Sequence, residues 1–208
     1  MEAHHFSVKK TTRYFTEGSS AETHHVYVLH GYGQHPEFFL RKFIPASPNI
    51  FLVAPEGLHR YYLNGNSGRV GASWMTKEDR QNDILDYVNY LDALCESLSG
   101  NAKNITILGF SQGAATAVRW ACQGKMKPSQ LILWAGSFPT DMDLPQAREQ
   151  LTDTNLILAV GNKDEFISTP AIKNVKGLLD EADIPYTFHE FDGTHDIQRE
   201  LFLSLVEL

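Results

Sequence analysis

Residues 109–113 read Gly-Phe-Ser-Gln-Gly, and they are the part of the sequence whose residue types could carry out covalent chemistry. An apolar run precedes them and an alanine-rich run follows, which predicts that the serine lies on a tight turn from a strand to a helix. Such a turn lifts the hydroxyl above a sheet, and flanking glycines avoid collisions with the neighbouring strand and helix. The pattern predicts Ser111 as a nucleophile. The alternative is a chance turn whose serine merely caps a helix.

An acidic candidate, Asp164, follows the apolar run 155–160. A carboxylate in this role holds an imidazole in one tautomer and stabilises the imidazolium that forms during the reaction. The adjacent Glu165 is the second choice. Other carboxylates belong to a polar stretch that is interpreted as a solvated surface loop, and they are Asp141, Asp143 and Asp153.

A basic candidate, His195, follows the run 186–191 in the sequence Gly-Thr-His. His189 lies within that run and is the less suitable alternative, because a loop histidine at the end of a strand can reach across a sheet edge. The order of the candidates along the chain is Ser111, Asp164, His195. Hydrolases with a serine at a strand–helix turn place nucleophile, acid and base in this order.

A second loop, His-Gly-Tyr-Gly at 30–33, follows the apolar run 25–30. Ester hydrolysis passes through a tetrahedral oxyanion, which needs preorganised N–H donors. A glycine-bearing loop can supply one such donor, and the backbone amide of Gln112 supplies the other. The alternative is an ordinary flexible turn. His30 is interpreted as a structural histidine that stabilises this loop rather than as the base.

The elements that must position these residues alternate along the chain. Strands are predicted at 25–30, 50–54, 104–110, 131–135, 155–160 and 186–191, with an extra edge strand within 6–16. Helices are predicted over about 77–99, from Ser111 to Gly124, from Thr169-Pro170, and from Asp196. Thr76 and Asp79 resemble a capping box at the start of the first of these helices.

Several of the predicted strands are nearly continuous apolar runs, which is typical of strands buried on both faces of a parallel sheet. Their alternation with helices predicts an α/β fold with a mostly parallel, doubly wound sheet and helices on both faces. Sites in such sheets lie at the carboxyl ends of the strands. Every candidate catalytic residue directly follows a predicted strand, as this rule requires.

Composition excludes several classes of protein. The 208 residues are predicted to form a single domain, 1–208, because 42% are hydrophobic and 21% charged, as in globular chains. The net charge of −7 and the absence of a dense basic run argue against nucleic acid or anionic lipid as a partner. No nucleotide-binding glycine motif is present, and the histidine pairs lack carboxylates at ligand spacing, so neither a nucleotide nor a metal is expected.

The expected compartment is the cytoplasm. The N-terminal residues show no basic region followed by an apolar stretch, and no apolar run approaches the roughly 20 residues of a membrane span, so stable membrane insertion is not expected. The two cysteines, Cys95 and Cys122, fall inside predicted helices and match no metal motif. They are predicted to be free buried thiols, which suits a reducing environment.

At this point the chain resembles the small phospholipase/carboxylesterase family, which includes the acyl-protein thioesterases. The resemblance covers nearly the whole chain and is carried by 30–33, Trp74 after Gly-Ala-Ser, 109–113, Asp164 and His195. It implies an α/β-hydrolase fold without a large cap and hydrolysis of esters or thioesters without a cofactor. It also implies that the backbone amides of Tyr32 and Gln112 form the oxyanion hole.

The sequence departs from the family around the expected substrate pocket. The family usually has an aliphatic residue where Tyr32 stands, often an aspartate at Gln34, and Phe-Asp where Met75-Thr76 follows Trp74. These differences leave the reaction class intact and leave the substrate open. Deacylation of lipidated proteins therefore does not transfer to this chain.

The long segment 57–76 carries apolar side chains between glycines and asparagines, which are Tyr61, Tyr62, Leu63, Trp74 and Met75. Long loops in compact domains are often functional, so these groups could line an acyl pocket beside Ser111. They could equally cover one end of the sheet. Trp74, Met75 and Tyr32 are the candidates for substrate contact.

The expected activity is that of a serine hydrolase acting on small acyl esters or thioesters. The rival interpretations are an acyltransferase or a peptidase on the same fold, and a non-catalytic protein that binds a ligand. The sequence leaves the oligomeric state open.

Overall fold

The computed structural model describes residues 1–45 and 49–206. The strands are β1 (Tyr14–Glu17), β2 (His24–Leu29), β3 (Ile50–Pro55), β4 (His59–Tyr62), β5 (Val70–Ser73), β6 (Asn104–Phe110), β7 (Gln130–Trp134), β8 (Asn155–Gly161) and β9 (Thr187–Phe191). The α-helices are α1 (Pro36–Leu40), α2 (Arg80–Leu98), α3 (Gln112–Gln123), α4 (Leu144–Gln150), α5 (Thr169–Glu181) and α6 (Arg199–Val206).

Seven strands form one sheet in the order β1-β3-β2-β6-β7-β8-β9. All neighbours in it pair in parallel except β1, which runs antiparallel to β3. The predicted mostly parallel α/β fold is therefore confirmed, and the six predicted strands lie within a residue or so of the observed ones. The predicted edge strand is shorter than its 6–16 segment and begins only at Tyr14.

Successive residues of the sheet face two separate cores, which explains the apolar runs. Tyr27 and Leu29 of β2 belong to one buried cluster and Val26 and Val28 to the other. The first cluster includes residues of α2, α3 and α5, and the second includes residues of α1 and α6. Strands that bury both faces have no room for the polar alternation of an exposed sheet. In the part of the chain that the structure describes, no helix is both long and apolar enough to cross a membrane.

Two local predictions are corrected by the structure. The N-cap of α2 is Asp79 in the left-handed conformation at φ 50°, and its side chain makes no capping hydrogen bond. The Thr76 N–H donates instead to Asp83 Oδ2 at 3.1 Å, so there is no capping box. The polar stretch around Asp141 and Asp143 is also not a simple solvated loop. Asp143 caps α4, and Asp141 pairs with two arginines.

The hairpin β4–β5 was not predicted, and it covers one edge of the carboxyl end of the sheet. Gly33 donates its N–H to Ala72 O at 2.9 Å, and Ala72 donates to Gln34 O at 3.0 Å. A Cβ on Gly71 would lie 2.1 Å from the Gly33 carbonyl oxygen, so only glycine permits this approach. The hairpin is therefore fixed directly to the loop at 30–33.

The two cysteines are buried free thiols, as predicted. Cys95 lies in α2 and Cys122 in α3, and both belong to the larger buried cluster. Burial raises the pKa of both thiols, to about 12 for Cys122, so neither is suited to act as a nucleophile at neutral pH.

Candidate active site

Ser111 lies on a strained turn between β6 and α3. Its backbone has φ 54° and ψ −115°, a conformation that non-glycine residues rarely adopt. A Cβ on Gly109 would lie 2.2 Å from the Gly113 carbonyl oxygen, and a Cβ on Gly113 would lie 2.2 Å from the Leu29 carbonyl oxygen. The glycines therefore allow the turn to close as the sequence predicted. The Ser111 N–H donates to Trp134 O at 2.9 Å, which holds the turn against β7.

Asp164 and His195 form a hydrogen-bonded pair beyond the ends of β8 and β9. His195 Nδ1 lies 2.8 Å from Asp164 Oδ2, and the Asp164 side chain is completely buried. The other carboxylate oxygen accepts the N–H groups of Phe166 at 2.8 Å and Ile167 at 2.9 Å. Because a carboxylate oxygen accepts hydrogen bonds, this contact orients the imidazole with its proton on Nδ1. Glu165, the second choice, is exposed.

Two aromatic rings hold the His195 ring in place. The Phe110 and Phe166 ring centroids each lie 4.8 Å from that of His195. Because Phe110 directly precedes Ser111, the imidazole packs against the residue next to the serine. Among the hydrogen bonds of the described residues, none joins Ser111 Oγ to His195. Catalytic hydrogen bonds are often long before substrate binds.

The loop at 30–33 lies beside Ser111 and has few free donors. The Gly31 N–H donates to Gln34 Oε1 at 2.8 Å, while Gly33 is bound to the hairpin. The hydrogen bonds of the described residues include none from the Tyr32 N–H. Gln112 is the first residue of α3, so its N–H has no acceptor within the helix. The two amides that the sequence resemblance selects are therefore available as donors.

His30 is a structural residue beneath this loop, in agreement with its interpretation from the sequence. Its Nδ1 donates to Gly31 O at 2.8 Å, and its Nε2 accepts the Gly57 N–H at 3.0 Å. The ring stacks on Trp74 at 5.0 Å, and Trp74 Nε1 donates to His30 O at 2.8 Å. Burial lowers the pKa of His30 to about 4, so the ring is neutral and can both donate and accept.

The side chain of Gln112 has a role that the sequence did not reveal. Its Nε2 donates to Met75 O at 3.0 Å, and its Oε1 accepts the Trp74 N–H at 3.2 Å. These bonds attach the end of β5 to the first turn of α3. The glycine–serine–glycine motif at 109–113 accepts any residue at position 112. The partner segment lies nearly 40 residues away, so the motif could not identify this contact.

The three candidates for substrate contact occupy different environments. Trp74 is completely buried and presents no surface to a ligand, which favours the covering role over the pocket role. Met75 is half-buried and packs against the same core. The Tyr32 side chain is 63% exposed and packs on Tyr61 with a centroid distance of 5.4 Å.

A narrow apolar cavity of about 40 Å³ lies on the β7 side of Ser111, between α5 and the sheet. Gly136 lines it and adjoins Ser111, since a Cβ there would lie 2.7 Å from Ser111 O. Its other walls include Ile167, which donates to Asp164, and Ala171 of α5. The cavity therefore extends from the turn that carries Ser111 to the loop that carries Asp164.

Comparison with known proteins identifies the family of the chain. Residues 12–207 match the profile of the Phospholipase/Carboxylesterase family. No sequence among the curated proteins matches the chain.

The fold is shared with solved esterases and thioesterases. Acyl-protein thioesterase 2 of Zea mays is 17% identical with a TM-score of 0.72, covering 95% of this chain and 97% of its own. Esterase PE8 is 20% identical with a TM-score of 0.68, covering 95% and 100%. The Bacillus cereus carboxylesterase is 14% identical with a TM-score of 0.65, covering 94% and 92%. At these identities the likeness concerns the fold alone.

Proposed function

The chain belongs to the phospholipase/carboxylesterase family, and we propose that it is a serine hydrolase that cleaves carboxylic esters or thioesters through an acyl-enzyme intermediate. The observation that carries this proposal is the 2.8 Å contact between His195 Nδ1 and Asp164 Oδ2 beside a serine on a strained strand–helix turn. A buried carboxylate paired with a loop histidine has no evident structural purpose at this edge of the sheet. It is the arrangement that a serine nucleophile requires.

Acylation would begin with attack of Ser111 Oγ on the substrate carbonyl carbon. Because Asp164 holds the imidazole proton on Nδ1, His195 Nε2 is the nitrogen that takes the serine proton. The carbonyl electrons move to the oxygen, and the resulting oxyanion accepts hydrogen bonds from the Tyr32 and Gln112 amides. His195 then returns the proton to the leaving alcohol or thiol as the bond to carbon breaks.

Deacylation repeats the same steps with water as the nucleophile. His195 Nε2 takes a proton from the water, whose oxygen attacks the acyl carbon, and the proton then passes to Ser111 Oγ. The acid leaves with one oxygen from water, and the free serine is restored. Neither half-reaction requires a cofactor.

The apolar cavity beside Gly136 is the proposed site of the acyl group. Gly136, which adjoins Ser111, lines it together with mostly apolar side chains. Since one water-sized group needs roughly 10–15 Å³, a volume of about 40 Å³ suits a short acyl chain. Esters of short acids are therefore the proposed substrates.

Labelling by a fluorophosphonate tests the proposal, because this reagent reacts only with an activated serine. We expect the protein to be labelled and the variant Ser111→Ala to be unlabelled, with ester turnover reduced by several orders of magnitude. Ser129→Ala, which changes a serine near the start of β7, is the matched control and should behave as the unsubstituted protein. If Ser111→Ala is still labelled, the assignment of Ser111 as the nucleophile is wrong.

A further inference from the structure

A cationic groove lies on the opposite side of Ser111 from the acyl cavity. Two adjoining cavities of about 380 Å³ and 560 Å³ share His35 and Val70 as lining residues. The smaller one begins at Gly33, the residue after the proposed oxyanion donor Tyr32. The groove follows the space between α1 and the β4–β5 hairpin. Its cationic side chains are Arg13, Lys42, Arg60 and Arg69.

The charges along this groove do not cancel. Arg13 and Arg60 both face Glu56, at 2.6 Å and 3.6 Å, and this carboxylate is almost completely buried. Two guanidinium groups thus share one carboxylate, which leaves one positive charge in excess. Arg69 directly precedes β5 and has no carboxylate within ion-pair distance among the described residues. In a chain of net charge −7, this is an unusual accumulation of positive charge.

His35 is part of the wall that the two cavities share, and it contacts Arg13 there. Arg13 Nη2 lies 3.1 Å from His35 Nε2, and a guanidinium can only donate. The imidazole proton is therefore on Nδ1. This buried Nδ1 has no partner among the described residues.

One end of the groove adjoins the catalytic histidine. Lys42, which lines the groove, bonds through Nζ to Asp196 Oδ1 at 2.6 Å. Asp196 directly follows His195, the residue that must protonate the leaving group. In the sheet, the loop after β2 and the loop after β7 flank β6 on either side. The groove is therefore placed for the leaving group, and the cavity beside Gly136 for the acyl group.

We propose that the cationic groove binds an anionic group, a carboxylate or a phosphate, carried by the alcohol or thiol part of the substrate. The inference rests on the proposed hydrolase function and adds a substrate class to it. Arg69 is the group that we expect to bind the anion, because it is the guanidinium of the groove that no carboxylate neutralises. A guanidinium matches both anions through paired N–H donors.

The test compares esters that differ only in the charge of the leaving group. The probes are 4-acetoxybenzoate, its neutral methyl ester and 4-acetoxyphenyl phosphate, each hydrolysed by the unsubstituted protein and by Arg69→Gln. We expect Arg69→Gln to lower kcat/KM for an anionic ester by about tenfold and for the methyl ester by less than twofold. The anion with the larger loss identifies carboxylate or phosphate as the preferred group.

Arg148→Gln is the matched control, because it removes the same charge from α4, where Arg148 pairs with Asp183 away from the groove. It should leave all three rates unchanged. Equal losses for charged and neutral esters in Arg69→Gln, or no loss at all, would overturn the inference.

A binding measurement separates this inference from the proposed function. Titration of 4-hydroxybenzoate, the product of the first probe, should give a dissociation constant that Arg69→Gln raises by about tenfold. If Ser111 is not labelled and no ester is cleaved, the hydrolase proposal fails, and this titration alone decides whether the groove binds an anion. If both proteins bind 4-hydroxybenzoate with equal affinity, the inference that the groove binds an anion through Arg69 is wrong.

Discussion

Gln112 and Trp74 are joined by a hydrogen bond from the Trp74 backbone N–H to Gln112 Oε1, 3.2 Å long. The same amide group donates to Met75 O, so one side chain holds the end of β5 at the start of α3. The Gln112 backbone N–H is also a proposed oxyanion donor. Gln112, which directly follows Ser111, therefore links the hairpin, the buried tryptophan and the position of that proposed donor.

Substitution of Gln112 tests this link. Gln112→Met keeps the backbone N–H and most of the side-chain shape, but it removes the acceptor of the Trp74 N–H and leaves the Met75 carbonyl with the Ser73 hydroxyl as its remaining donor. We expect kcat to fall by about tenfold with little change in KM, because the loss affects transition-state alignment rather than binding. Steady-state kinetics measure both. Gln123→Met, at the far end of α3, is the control, and an unchanged kcat in Gln112→Met would contradict the positioning role.

The acid is tested by two neighbouring substitutions. Asp164→Asn should lower turnover by about a thousandfold or more, since an amide cannot hold the His195 proton on Nδ1 as a carboxylate does. Glu165→Gln should have little effect, because the Glu165 side chain is exposed. Turnover of one ester by both variants, with circular dichroism to verify folding, is the measurement. If Glu165→Gln loses more turnover than Asp164→Asn, Glu165 rather than Asp164 is the acid.

The pH dependence of stability reports on His30. Burial lowers its pKa from 6.5 to about 4, so the unfolded chain binds the proton first as the pH falls. The stabilisation is complete above pH 6.5 and is lost progressively toward pH 4, by about 3 kcal/mol in total. Urea unfolding across this range should show a shallower pH slope in His30→Gln.

A second histidine provides the control for that measurement. Burial also lowers the pKa of His24, which is partly exposed and bonds to Thr106 Oγ1 at the other end of β2. His24→Gln should reduce the slope less than His30→Gln does. Identical slopes for His30→Gln and the unsubstituted protein would show that His30 is not held neutral by its surroundings.

The acyl cavity is tested by filling it. Ala171→Leu adds three carbons to a lining residue of the 40 Å³ cavity and keeps the backbone of α5. We expect kcat/KM for esters of butanoic and longer acids to fall by about tenfold relative to acetyl esters. The reason is that each displaced methylene contributes roughly 0.8 kcal/mol. Asn174→Leu, on the exposed face of the same helix, should leave the profile unchanged. If Ala171→Leu and Asn174→Leu show the same chain-length profile, the acyl group does not bind in this cavity.

The sequence predicted the parts of the site that depend on local order along the chain. Ser111, Asp164 and His195 each follow a strand whose apolar run is visible by itself, and the parallel sheet brings those strand ends to one edge. The hairpin β4–β5 escaped prediction because its place depends on the contact of Gly71 with Gly33, far apart in sequence. The partners of Trp74, His30 and Gln112, are also far from it in sequence. Without them, the apolar character of Trp74 was compatible with a substrate pocket or with the core.

Trp74 supplies the last prediction. Its indole is completely buried, stacks on His30 and donates to the His30 carbonyl, so Trp74→Ala should cost about 3–5 kcal/mol of stability. The relative kcat/KM for short and longer acyl esters should stay the same, because the indole has no surface for an acyl chain. Trp74→Phe keeps an aromatic ring beside His30 and should lose much less stability. Thermal unfolding and a graded series of p-nitrophenyl esters measure the two effects. A changed chain-length profile with a native-like Tm would return Trp74 to the substrate pocket.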